Sequence, residues 1–381
     1  MFIKRFKRYF DTFQVSFMIP LLEMGILLGQ HPPCILTKKY FNSKKYKLYA
    51  FFMVLLILNE SSFKIGSSHS LTSSSTIQIM NELKQVCTCL QCLMGVFQNS
   101  FLNPKNLYKI SKNLRKLDVL MKTKIAGINK KRIFIEIIIY FGFVFGLGLS
   151  SAILTRLPKT WYFFLWVLCD FLENAICFTT TLMMLYFLFC IESKFKILNG
   201  HLKNCIEDFN INKKPTQMYS VKTWIETYTI LTETIDLFNR VFGWQILLIF
   251  INSLLGLLVP INNFLVSSTH GLDDAYFAVF ARYLFFILFS GVFLSKIADN
   301  THEESRRTGL LCYKILQSLP EDNLWNKSFQ FREEMVFFAK ETCLRCPKFS
   351  AAGFLTVDFS MLFVLINSMS TYVVVLIQFN K

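Results

Sequence analysis

Apolar runs and polar stretches alternate along the whole chain, and their lengths decide which runs can cross a bilayer. A helix rises about 1.5 Å per residue, so about 20 apolar residues match a hydrocarbon core about 30 Å thick. On that measure seven spans are predicted, at residues 48–63, 81–101, 133–154, 161–191, 241–266, 275–298 and 359–379. The apolar centre of the first, 50–58, is short, and needs tilt or local thinning of the bilayer. An earlier run, 13–28, is interrupted by Pro20 and Glu23 and closed by His31, Pro32 and Pro33, which predicts an interfacial helix.

The stretches between the runs differ in kind. The serine-rich segment 61–76 reads as a loop, and residues 105–132, with ten Lys or Arg against Asp118, read as a basic loop opened by Pro104. Lys84, Gln85 and Gln91 in the second span need protein neighbours instead of lipid, and Gly142, Gly146 and Ser150 give the third a small-residue face. The fourth span is longer than a bilayer requires and is predicted to continue through Lys194, Lys196 and Lys203, with a turn at 210–217 before the fifth. Residues 303–319 and 326–345 read as helices packed beneath the membrane. The predicted organisation is an N-terminal region 1–47, a six-helix bundle 48–298 with polar extensions, anchor helices 299–350 and a closing segment 351–381. The fold class is all-α.

Composition supports the membrane reading: 53% hydrophobic residues, 42 phenylalanines and only 17% charged residues are too apolar for an ordinary soluble domain. The net charge of +16 would point to nucleic acid in a soluble protein, but its distribution gives another cause. The regions before span one and between spans two and three, four and five, and six and seven hold nine, ten, seven and eight Lys or Arg. The alternate side holds Lys64, Arg156, Lys159 and Lys381. The positive-inside rule therefore places the N-terminus inside and the C-terminus outside, at the plasma membrane, and no nucleic-acid partner is implied. Residues 1–10 lack the apolar core of a cleavable signal. The eleven cysteines include Cys87, Cys89, Cys92, Cys169, Cys177 and Cys190 in apolar stretches, where thiols pack as small hydrophobes and not as a disulfide framework.

In the last span Ser360, Asn367, Thr371 and Gln378 recur at steps of seven, four and seven, a narrow polar stripe on one helix face. Such a stripe is either a hydrogen-bonded seam to a neighbouring helix or the wall of a water-filled path, with Thr371 and Gln378 offering oxygens to an ion and Val375 or Phe379 forming an apolar constriction. Thr371-Tyr372, five aliphatic residues and Gln378-Phe379 resemble the signature that closes insect gustatory receptors, and the lead-in from Ala351 to Asp358 is similar to theirs. The resemblance implies a homotetrameric ligand-gated cation channel whose last helices line one central pore, with subunit contacts below the membrane and the option of a second subunit type. A G-protein-coupled receptor would carry its N-terminus outside, with Asp-Arg-Tyr and Asn-Pro-x-x-Tyr elements that this chain lacks.

Polar and charged residues inside spans are costly and mark candidate sites. In the outer half of the bundle these are Asp170, Glu173, Asn174, Asn262, Asn263 and Arg282, with Trp166, Tyr276 and Tyr283 at similar depth. Acids, amides and ring faces together suit a tastant, a sugar or an amine-bearing bitter compound. The alternative reading is an ion pair of Arg282 with Asp170 or Glu173 holding helices together, the aromatics forming an interfacial belt. Cys343 and Cys346 have zinc-ligand spacing without a second pair, so no metal or other cofactor is expected. No nucleophile-base motif, phosphate loop or dinucleotide fingerprint supports an enzyme. A secondary transporter of a polar solute is the other membrane class, and predicts paired repeats that are not visible.

Overall fold

The computed structural model describes residues 25–30, 44–68, 75–121, 161–212, 220–267, 288–319 and 326–379. The predicted third span, most of the sixth and the interfacial run 13–28 lie outside the described residues or nearly so. The helices, numbered among the described residues, are α1 Lys44–Ser68, α2 Ser75–Leu93, α3 Pro104–Leu120, α4 Trp161–Asn212, α5 Val221–Ser267, α6 Phe293–Ser318, α7 Asn326–Leu344 and α8 Phe359–Phe379. Wider π-helical turns extend α2 through Met94–Leu102 and precede α6 at Leu288–Val292. A two-residue antiparallel ladder joins β1 Ser350–Ala351 to β2 Leu355–Thr356, the one departure from an all-helical fold among the described residues.

Two predicted loops are helical instead. The segment 61–76 is largely absorbed by α1, which runs on to Ser68, and by α2, which starts at Ser75. Serine does not break these turns because its hydroxyl returns to the preceding turn, as Ser62 Oγ donates to the Leu58 carbonyl at 3.0 Å. The first half of the basic segment forms α3, with Pro104 in its first turn, where a missing N–H costs nothing. Leu107, Ile110, Leu114 and Leu117 are buried along one face while Lys105, Lys109, Lys112 and Arg115 point outward. Helical periodicity within the charge run was the overlooked signal. The helix predicted at 303–319 is no separate element either, since α6 runs without a break from Phe293, inside the predicted sixth span, through Ser318.

Helices α4 and α5 organise the fold. At 52 and 47 residues they are about 78 and 70 Å long by the helical rise, far more than a bilayer needs. Each contains a stretch long and apolar enough to cross a membrane. Their polar-end halves pack with α3, α6 and α7 around Phe195, Tyr228, Phe238, Phe242 and Phe338, all buried. A smaller core joins α1 and α2 to α4 through Ala50, Ile57, Cys92, Val96 and Ile176. On their outer sides α1 and α2 expose Phe51, Phe52, Leu55, Leu83 and Leu90, the surface expected against lipid tails.

Candidate functional site

Among the described residues, helix α8 is held by one face only. Met361 and Leu365 sink into the main core, Met369 packs against it, and the Tyr372 hydroxyl reaches Met80 Sδ of α2 at 2.9 Å. The other side carries the polar stripe, where Ser360, Asn367, Thr371 and Gln378 are all exposed. Around them Phe363, Ile366, Val374 and Val375 are exposed as well, at 71, 58, 53 and 40%. The stripe is therefore not a seam to another described helix of the same chain. Its hydroxyls need no outside partner for the backbone to be satisfied: Thr371 Oγ1 donates to the Asn367 carbonyl at 2.9 Å, leaving its lone pairs outward. Phe379 ends the helix, and its side chain lies outside the described residues.

The start of α8 is fixed by Asp358. Its carboxylate accepts the Ser360 N–H at 2.9 Å, the Met361 N–H at 3.4 Å and the Thr356 hydroxyl at 2.9 Å, the pattern of an N-cap. Partial burial pushes this carboxyl up, but the hydrogen bonds from Ser360, Thr356 and the two backbone N–H groups outweigh it and hold it below its usual value.

Asp170, Glu173 and Asn174 lie within one turn of α4. Asn174 Nδ2 donates to the Asp170 carboxylate at 3.0 Å and to its carbonyl, so these two partner along their own helix. Glu173 turns inward, is 4% exposed, and accepts from Gln85 Nε2 of α2 at 2.7 Å. Beside it Cys92 and Cys177 bring their sulfurs to 3.5 Å between α2 and α4.

The sequence matches the family model described as 7tm chemosensory receptor over residues 19–381. The chain belongs to that family. The receptor's fold is similar to that of the insect olfactory receptor OR5 from Machilis hrabei, at 16% identity and a TM-score of 0.67, over 95% of this chain and 97% of that one. A second structure of OR5, in complex with eugenol, matches at 14% identity and a TM-score of 0.64, over 94% and 97% of the two chains. No curated protein matches the sequence.

Of the remaining site residues predicted for the receptor, Trp166 lies in α4 and Asn262 and Asn263 in α5, with side chains outside the described residues. Tyr276, Arg282 and Tyr283 lie outside them altogether. What the single residues did not reveal is a polar ladder between α2 and α5. Thr88 Oγ1 donates to Asn252 Oδ1 at 3.1 Å, Asn252 Nδ2 to Gln91 Oε1 at 2.9 Å, Gln245 Nε2 to the Met94 carbonyl at 3.2 Å, and Gln98 Nε2 to the Arg240 carbonyl at 3.3 Å. Gln91 was the one visible member of this ladder beside Thr88, Met94 and Gln98. Their partners are spread over a helix more than 140 positions away, and pairing at that range has no local signature.

At the polar end Cys346 Sγ lies 3.8 Å from His302 Nδ1, while Cys343 is exposed and meets the Tyr313 hydroxyl at 3.6 Å. Among the described residues no three His, Cys, Asp or Glu side chains converge on a metal position.

Proposed function

We propose that this chemosensory receptor is a gustatory receptor: a ligand-gated, non-selective cation channel of the plasma membrane, built from four copies around their α8 helices. The observation that carries this reading is the face of α8 on which Asn367, Thr371 and Gln378 project away from the protomer while Met361 and Leu365 anchor the other side. Four such faces around one axis would form a path lined by neutral oxygens, with Val375 and Phe379 as its apolar constriction. Neutral oxygens without a ring of fixed charge favour cations with little selectivity among them. The closing Thr371-Tyr372 and Gln378-Phe379 pairs support the gustatory assignment within the family.

The tastant, a sugar or a bitter compound, would bind in the outer half of the bundle near Asp170, Glu173 and Asn174, and open the channel through higher affinity for the open state. A structure of OR5 holds eugenol, and a small organic ligand in this receptor fits that precedent. The charge distribution supports an N-terminus inside and an α8 end outside. A secondary transporter finds no support in the family match or the fold. The test is expression in a non-neuronal cell, with whole-cell recording against sucrose, caffeine and denatonium. A ligand-evoked cation current whose permeability ratios shift in Gln378→Ala is expected, whereas saturable solute uptake without current would overturn the channel reading.

A further inference from the structure

The segment between α7 and α8 is seated on α5 by four separate contacts. Asn239 Nδ2 donates to the Lys348 carbonyl at 2.8 Å, and its Oδ1 accepts the Ser350 N–H at 3.0 Å, so one amide side chain takes the place of a neighbouring strand. Phe238 meets the buried ring of Phe349 edge-to-face at 5.3 Å, and Trp244 meets Phe354 in the same manner at 6.0 Å. Between them Gly243 lets the two backbones touch: a Cβ there would stand 2.9 Å from the Ala352 nitrogen and 3.2 Å from its Cα. These are backbone atoms, which cannot swing aside as a side chain end could.

Nothing slack separates this seat from the pore-side helix. The hairpin closes on itself through the Ser350–Thr356 and Ala351–Leu355 pairs and the Val357 N–H to the Phe349 carbonyl at 2.9 Å, and the next residue, Asp358, caps α8. In the other direction the same α5 is bonded about two turns further along to Thr88 and Gln91 through Asn252. Helix α2 in turn holds Glu173 through Gln85.

We propose that the hairpin 349–357 is the joint through which α5 sets the position of α8, with Asn239, Gly243 and Asp358 as positioning residues for the gate. The inference rests on the channel reading and adds a route: a displacement of α2 against α4 at Glu173 passes along the amide ladder to α5, and α5 carries the first turn of α8 with it. Rigid elements with bonded ends transmit such a displacement, and a hydrogen-bonded hairpin transmits more of it than a coil would.

The first arm of the test needs no ligand. Hydrogen exchange on the full-length receptor in lipid nanodiscs, comparing wild type with Gly243→Ala, is expected to show exchange raised about threefold or more in the first half of α8, with α7 unchanged. A rise confined to 349–357, or one spread evenly over every helix, would overturn the joint. The second arm is recording with sucrose, caffeine and denatonium. Gly243→Ala is expected to move the half-maximal concentration or the basal current by about tenfold, the scale of typical inter-site coupling, with unitary conductance and reversal potential unchanged. Adding Ala352→Gly, which frees the opposing backbone, is expected to bring both back towards wild type.

If Gly243→Ala does not reach the surface, Phe354→Ala removes one ring of an exposed contact and is read in the same way. Surface-expressed variants with wild-type concentration dependence sink the joint alone. A wild-type receptor without current counts against the channel reading, and the exchange arm then decides the joint by itself.

Discussion

Tyr228 gathers three segments with a single hydroxyl. It is fully buried on α5, lies 3.2 Å from Ser305 Oγ of α6, and donates to the Arg345 carbonyl just past α7 at 2.7 Å. Rings of Phe195 and Phe338 stand edge-on to it at 5.9 and 5.8 Å. Tyr228→Phe keeps that packing and strips the hydroxyl from buried partners, so a loss of about 1–2 kcal/mol is expected. A fall in the thermal midpoint of the detergent-solubilised protein checks it. Burial pushes this phenol up to about 12, against about 10 in an unfolded chain. The folded state thus resists deprotonation: its advantage is whole below pH 10 and declines as the pH rises from 10 towards 12. The alkaline limb of a stability profile should accordingly flatten in Tyr228→Phe. Ala352 is a second residue with a conformational demand, since its φ of +54° is a left-handed value that favours glycine. Its neighbour Ala351 pairs with Leu355 in the hairpin ladder, so the turn places different demands on the two alanines.

At the scale of elements, legibility followed periodicity and failed where composition overruled it. The seventh span was placed at the residues α8 occupies because a 21-residue apolar run has one reading. The continuation of α4 past Lys203 was legible for the same reason, as its apolar positions never lose the helical repeat. Serine content hid the end of α1, and charge hid α3, though Leu107, Ile110, Leu114 and Leu117 repeat at helical spacing. Helix α3 also brings Asp118 to Lys194 of α4, an ion pair with the lysine side chain 5% exposed. Removing one member of a buried pair leaves an unbalanced charge, so Asp118→Ala is expected to cost about 3 kcal/mol or more. Combining it with Lys194→Met should recover most of that loss, and a double-mutant cycle on thermal stability measures the difference. If the single and double variants lose equal stability, the pair is not what fastens α3 to α4.

At the scale of the whole molecule, the shared polar face of α8 was legible and the arrangement of the polar cluster on α4 was not. The stripe on α8 could be read because four polar residues at helical steps in an apolar run share a face whatever surrounds them. The cluster on α4 could not be read so far, because its role depends on which of Asp170, Glu173 and Asn174 turns inward. Only Glu173 is buried, and Asn174 spends its amide on Asp170. That difference separates two outcomes for the whole receptor. Glu173→Gln keeps an acceptor for Gln85 and removes the charge, whereas Asp170→Asn removes a charge that is satisfied along its own helix. If the outer bundle receives the ligand, Glu173→Gln should shift the half-maximal concentration of an active tastant by about tenfold or more, with Asp170→Asn closer to wild type. Neither should alter permeability ratios, because both lie on α4 and the proposed ion path runs along α8. Permeability changes in Glu173→Gln with normal surface expression would move the conduction path away from α8 and into the bundle.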